Sequence, residues 1–148
     1  MTRIIAGLDV HRDTPVEILH THLLGVVKYF WAQTTVIAEN NNTFHLLQAR
    51  LNSLTRQGLD IPNILADYMC RYRGGLIGKH FKTLSQIMVF ASYDILRDDR
   101  SITNAWLSIG RLTVLIWETE IRDMDSYCVC LFSPFAQRNL HIVTVLTH

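Results

Sequence analysis

Apolar residues recur at three- and four-residue steps in four stretches of this chain, which is the spacing of one face of an α-helix. Polar or glycine-containing segments bound each stretch, as they do at helix ends. The pattern predicts four amphipathic helices. Their apolar stripes are Val16, Leu19, Leu23, Val26 and Phe30; Phe44, Leu47, Leu51 and Leu54; Ile77, Phe81, Leu84, Met88 and Ala91; and Ile102, Ala105, Ile109, Leu112 and Ile116.

The start of the first helix carries the clearest local signal. Thr14 fits an N-cap, Pro15 the first helical position and Glu17 the partner in a capping box. We therefore predict a regular helix from Pro15. On such a helix Glu17 and His20 lie one turn apart and share a face.

Short connections join the predicted helices. Residues 40–43 separate the first two helices, and residues 57–58 end the second. A shorter helix follows residues 61–62 and ends at residues 73–75. Because short connections favour antiparallel packing of neighbours, we predict a mainly all-α fold, an irregular bundle of four to five helices.

Length and composition suit a single domain with a sizeable core, since the chain has 148 residues of which 49% are hydrophobic. Residues 1–14 are predicted as a short extended lead-in, residues 15–127 as the helical core and residues 128–148 as a divergent, irregular tail. Residues 141–146 are rich in β-branched side chains. An alternative in which they pair as a strand with residues 3–10 therefore stays open.

Charge and cysteine content bear on the cellular location and the partners of the protein. A formal net charge of +1 gives no global attraction to nucleic acid or to an anionic membrane. Asp9, His11 and Arg12 interrupt the short apolar start, which argues against a secretory signal, and three cysteines are an odd number. The long apolar stretches carry ionisable side chains and lack the run of about 20 apolar residues that a bilayer span needs. We expect an intracellular protein, cytoplasmic or nuclear, that is not secreted and has no membrane partner.

Candidate metal ligands occur at two places. Glu17 and His20 are spaced as two ligands on one helix face, whereas His22 lies about 200 degrees from His20 on a regular helix. The plainer interpretation makes Glu17 a capping residue and the histidines hydrogen-bonded core or surface groups. Cys128 and Cys130 lack the second ligand pair of a closed zinc site. We therefore expect no resident cofactor.

A basic segment with interleaved aromatic residues lies in the middle of the chain, within residues 71–82. Arginine and lysine could neutralise phosphates while an aromatic ring stacks on an unpaired base. The competing interpretation is a solvated loop whose aromatic residues pack inward. The candidate nucleic-acid-binding residues are Arg71, Arg73, Lys79 and Lys82.

Three blocks of sequence, residues 7–31, 68–82 and 109–117, carry a resemblance to a known group of proteins. Together with Ile121 and Tyr127, which follow at similar spacing, they resemble the uncharacterised transposon-derived proteins of mushroom-forming fungi. The similarity covers residues 7–127. That fungal group resembles, more distantly, the transposases of CACTA-like and Kyakuja–Dileera–Zisupton cut-and-paste elements.

The resemblance implies an RNase H-like nuclease core, interrupted by helices, in which carboxylates hold two divalent ions. Glu17 and His20 match the acid-x-x-His motif of those transposases, with Glu where the distant relatives usually have Asp. The other catalytic acids would be expected upstream of Met1 and downstream of Tyr127. We therefore expect a truncated fragment without catalytic activity, in which Mg²⁺ would matter only if the ancestral site were intact.

Three functions from different classes remain open. The leading hypothesis is a non-catalytic helical fragment of a transposase-like protein. The first alternative is a helical module for protein interaction or self-association, which uses the apolar surface that a truncated domain exposes. The second alternative is a nucleic-acid-binding module that uses the basic segment at residues 71–82.

Overall fold

The fold is all-α, which confirms the fold class predicted from the hydrophobic stripes. The computed structural model describes residues 18–58, 61–93, 95, 100–118 and 120–132, and no strand occurs among them. A π-helical stretch, Ile18–Val27, continues directly into the first α-helix and is called the π segment below. The α-helices are α1 (Lys28–Asn40), α2 (Phe44–Ser53), α3 (Ala66–Arg71), α4 (Gly78–Ser92), α5 (Arg100–Ile116) and α6 (Met124–Phe132).

The core of the bundle centres on α4, which packs against both α5 and the π segment. On either side, α1 packs against the π segment and α2 packs against α3. Trp31, Phe81 and Trp106 have no exposed surface in this interior. Since each large aromatic side chain removes roughly 150–250 Å² from water, these three rings supply much of the apolar burial.

A buried polar contact sets α1 against α5. The indole N–H of Trp106 donates to Thr34 Oγ1 at 3.0 Å, and the Thr34 hydroxyl donates to the Phe30 carbonyl oxygen at 2.8 Å. The Phe30 ring meets Trp106 edge-on, with 4.9 Å between ring centroids. Buried polar groups require partners, so this arrangement satisfies the indole and fixes the position of α1 along α5.

The π segment replaces part of the regular helix that the first stripe predicts. The proposed cap at residues 14–17 lies outside the described residues and stays a prediction. Within the π segment, Leu19 is 43% exposed, although the stripe predicts that it is buried. Val27 is fully buried, whereas Val26 is half-buried. The wider winding changes the angle between successive residues, so the buried face departs from the three- and four-residue steps.

Gly25 permits the π winding. A Cβ built on Gly25 would lie 2.9 Å from the carbonyl oxygen of His20, a distance that real Cβ atoms essentially never show. The hydrogen bonds of a π-helix join residues five apart, which brings this carbonyl towards Gly25. A side chain at residue 25 would therefore disfavour the π winding.

The helical region extends beyond the boundary expected from the sequence, because residues 128–132 belong to α6 rather than to an irregular tail. Asp123 caps this helix: Oδ1 accepts the backbone N–H groups of Asp125 at 3.1 Å and Ser126 at 3.2 Å, and Oδ2 accepts the Ser126 hydroxyl at 2.6 Å. Such a cap satisfies N–H groups that the first turn leaves unpaired, which offsets a modest helix propensity. Residues 133–148 and the proposed strand pair lie outside the described residues.

The Gly25→Ala substitution tests the π winding. In a regular helix this change stabilises the fold by up to about 1 kcal/mol because alanine is the better helix former. Here we expect destabilisation by about 1–3 kcal/mol, since the new Cβ meets the His20 carbonyl. Chemical denaturation measures the difference. The matched control, Gly74→Ala, places its Cβ in open space and should stay within about 0.5 kcal/mol of the wild type. A stabilised Gly25→Ala variant would argue for regular α-helical winding.

Candidate binding groove between α4 and α5

A groove of about 590 Å³ runs along the contact between α4 and α5. The two backbones approach closely there, because a Cβ built on Gly110 of α5 would lie 3.4 Å from the Ser85 carbonyl oxygen of α4. Lining positions recur every three or four residues on each helix, so each helix contributes one face. The apolar lining residues are Val89, Phe90, Leu107, Val114 and Trp117.

Two of these apolar side chains are strongly exposed. Phe90 on α4 is 62% exposed and Val114 on α5 is 68% exposed. Trp117, which follows the last residue of α5, is half-buried, whereas Trp31 and Trp106 are fully buried. Exposed apolar side chains that line one concave surface are characteristic of binding sites, whereas scattered ones are ordinary.

The charged residues that line the groove, Lys82 and Arg111, are both basic, and none of the described lining residues is acidic. The Lys82 ammonium lies 5.2 Å from the centroid of the Trp117 ring. This is the range of a cation–π interaction, so the lysine holds the indole at one end of the groove. The groove therefore combines an apolar lining with a positive rim.

The base of the groove contains a polar contact that reaches the π segment. The Thr113 hydroxyl, which lines the groove, donates to the Ile109 carbonyl oxygen at 2.7 Å. Its single proton is thereby used, so the contact of 2.9 Å between Thr113 Oγ1 and His22 Nε2 has the histidine as donor. The His22 imidazole thus carries its proton on Nε2.

His22 is held in its neutral form. Its side chain is buried, and Nδ1 has no hydrogen-bond partner among the described residues. Burial lowers the pKa of His22 below its ordinary value of 6.5, because charging a buried imidazole costs solvation energy. The ring meets Trp117 edge-on, with 6.4 Å between centroids. The interior beneath the groove is therefore uncharged.

The structure describes one of the two residues proposed as a remnant acid-x-x-His motif. Glu17 lies outside the described residues, and His20 is exposed on the π segment. His22 points to the interior while His20 does not, as the helical spacing predicts. Across the described ranges, no group of three or more His, Cys, Asp or Glu side chains could hold a metal ion. The described part of the chain thus offers His20 alone of the proposed pair.

The four basic residues proposed to bind nucleic acid face different neighbours. Arg73 Nη1 lies 2.6 Å from Glu39 Oε1, and its guanidinium lies 5.2 Å from the centroid of the Phe44 ring. Lys82 contacts Trp117. Arg73 thus contacts α1 and α2 whereas Lys82 contacts the residue that follows α5, and nucleic-acid binding by the four basic residues stays a prediction.

Arg71 and Lys79 are exposed. The pKa of Asp67 is lowered mainly by hydrogen bonds from Asn52 and Gln48, with a smaller contribution from Arg71. Tyr68 and Tyr72 are tilted against each other with 5.0 Å between centroids. Of the original basic segment, this is the part that remains available to solvent.

The cysteines are all free thiols and do not converge. Cys70 is buried, Cys128 is half-buried and Cys130 is exposed. Burial, as the main cause, raises the pKa of the Cys70 thiol to about 11, so that thiol stays protonated and unreactive.

Comparison of the chain with protein-family models, with curated proteins and with solved structures finds no match. The resemblance to transposon-derived proteins therefore stays a prediction. Among the described residues, no helix is both long enough and apolar enough to cross a membrane.

The neutral state of His22 predicts a pH dependence of stability. Because the folded-state pKa is lowered, the unfolded chain binds more protons as the pH falls below 6.5, and stability should fall until the folded pKa is passed. Thermal unfolding between about pH 7.5 and about pH 5 measures this loss. His22→Gln keeps an N–H donor near Thr113 without a titrating ring, and should flatten the profile.

The control for this experiment is His45→Gln, which changes an exposed histidine of α2 and should leave the profile unaltered. His80 also contributes a slope of the same sign, because burial and the neighbouring Lys79 lower its pKa. For His22→Gln we therefore expect stability to depend on pH less steeply than in the wild type, but still to depend on it. A profile for His22→Gln that is as steep as those of the wild type and of His45→Gln contradicts the assignment.

Proposed function

We propose that this chain is a non-catalytic helical association module, and that its α4–α5 groove binds an amphipathic helix with acidic flanks. The observation that carries the proposal is the exposure of Phe90 and Val114 in one concave surface. A helix that inserts apolar side chains at three- and four-residue steps fits such a groove. Burial of these side chains against a partner supplies the driving force.

The charge of the partner follows from the rim of the groove. Lys82 gives the rim positive charge, so acidic residues beside the apolar face of the partner would be attracted and basic ones repelled. The apolar lining of the groove favours a protein helix over nucleic acid as its occupant, since it offers apolar contacts rather than a cluster of cations for phosphates.

The resemblance to transposon-derived proteins supports a further part of the proposal, which concerns the origin of the module and its location. We infer that the module descends from the helical part of a transposase-like protein and acts inside the cell, in the cytoplasm or the nucleus. Its acid-x-x-His motif supplies one carboxylate, Glu17, whereas a pair of catalytic metal ions needs several. Association is the activity that such a helical part can keep without the nuclease chemistry.

Groove binding can be tested with a synthetic helical peptide that has leucines at three- and four-residue steps and glutamates beside them. Since Trp31 and Trp106 are fully buried, a change in tryptophan emission or in acrylamide quenching reports on Trp117 in the groove. We expect saturable binding, weakened about tenfold or more by Val114→Asp, because a carboxylate would be buried against the apolar face.

Two controls make this test specific. Val36→Asp changes a side chain of α1 that is 50% exposed and does not line the groove, so it should bind like the wild type. A peptide of the same composition with scrambled order should not bind. Failure of the amphipathic peptide to saturate below about 1 mM, or equal binding by Val114→Asp, contradicts the proposal.

The non-catalytic part of the proposal predicts that the protein leaves DNA intact. Supercoiled and single-stranded DNA incubated with the protein and Mg²⁺ or Mn²⁺ should show no strand breaks on gels, because one motif carboxylate cannot hold two metal ions. Cleavage that disappears in Glu17→Ala and persists in Glu118→Ala, which changes an exposed carboxylate outside the motif, would establish a nuclease instead.

A further inference from the structure

Among the α6 residues whose side chains the structure describes, 124–130, no buried face is present. None of its described side chains is buried, and Met124 is 59% exposed while Val129 is 70% exposed. It packs against α5, where the Tyr127 hydroxyl donates to the Leu115 carbonyl oxygen at 3.2 Å. Helices this short are marginal in water without tertiary packing of an apolar face, so a partner that covers the exposed side of α6 would stabilise it.

The beginning of α6 is acidic. Glu118, Glu120, Asp123 and Asp125 lie in or just before its first turn, against a single arginine, Arg122, whose guanidinium lies 3.4 Å from Glu120. The segment thus carries a net negative charge beside an exposed apolar helix. This is the chemistry that the positive rim and apolar lining of the α4–α5 groove would recognise.

Residues 124–130 of α6, whose side chains the structure describes, do not line the groove of their own copy. Instead, α6 borders a separate cavity of about 610 Å³ at the junction with α5. Trp117 lines both the groove and this cavity, so the two surfaces lie side by side. Two complementary surfaces that lie side by side can meet reciprocally about a two-fold axis.

We propose that α6 of one copy occupies the α4–α5 groove of a second copy, and the reverse, in a two-fold homodimer. The proposal rests on the proposed function, because it names α6 as the acidic helix that the groove binds. The exposed Val129 of α6 packs on Phe90 and Val114 of the partner. The acidic turn of α6 faces the rim that carries Lys82.

Sedimentation velocity of the full chain over about 1 µM to 1 mM tests this arrangement. The wild type should shift from monomer to dimer. Val114→Asp in the groove and Val129→Asp on α6 should each raise the dimer dissociation constant about tenfold or more, because each buries a carboxylate at the interface. Val36→Asp, a surface change of the same kind on α1, should dimerise like the wild type.

An equimolar mixture of the two interface variants separates this contact from any other. The heterodimer regains one intact contact, since unaltered α6 from the Val114→Asp copy meets the unaltered groove of the Val129→Asp copy. The mixture should therefore dimerise more strongly than either variant alone. Circular dichroism should be unchanged in both variants, because both side chains are exposed in the monomer.

Several results would overturn the proposal. A wild type that stays monomeric throughout the range, a dimer that neither interface variant weakens, or a mixture no more dimeric than its components each excludes the reciprocal exchange of α6. A monomer that still binds the synthetic acidic peptide would leave the proposed function standing and remove the second copy as partner. A monomer that binds no such peptide would remove both.

Discussion

Two buried hydrogen bonds hold the π segment and α1 against α5. The Trp106 indole N–H donates to Thr34, and the His22 Nε2–H donates to Thr113. Thr34 comes later in the chain than His22, whereas its partner Trp106 comes earlier than Thr113. The π segment and α1 therefore run antiparallel to α5. A buried donor that loses its acceptor costs roughly 1–3 kcal/mol, and sliding either element by one turn would break both bonds. These contacts therefore decide which face of α5 turns inward.

The groove follows from this register. With Trp106, Ile109 and Thr113 turned into the interior, Val114 is left on the outer side of α5. On α4, burial of Phe81 and its neighbours one and two turns away likewise leaves Phe90 outside. Rotating either helix to bury these side chains would expose core residues and break the hydrogen bonds beneath. The exposed apolar surface is thus a consequence of the best available packing, which makes it suitable for a partner.

Hydrophobic spacing in the sequence predicts those helices that wind regularly. The stripes locate α2, α4 and α5, because the apolar spacing there agrees with regular winding. The π segment is not predictable from spacing, since it depends on the close approach of a carbonyl to Gly25. The cap at Asp123 is a readable signal for α6 that hydrophobic spacing alone overlooks. Among the residues proposed to bind nucleic acid, Arg73 pairs with Glu39 across 34 residues of sequence, and such a contact follows from the fold rather than from a motif.

Trp117 joins the interior, the groove and the junction with α6. Its ring meets His22 from within, carries Lys82 beside it and lines both cavities. Burial keeps His22 neutral, so of Lys82 and His22 only the lysine is a cation beside the Trp117 ring. The attraction between the ring and the ammonium is therefore not opposed by a charge on the imidazole. Protonation of His22 would place a second cation against the same ring and weaken that contact. The polar interior therefore controls the indole orientation at the surface where a partner helix would bind, although no polar atom of His22 reaches that surface.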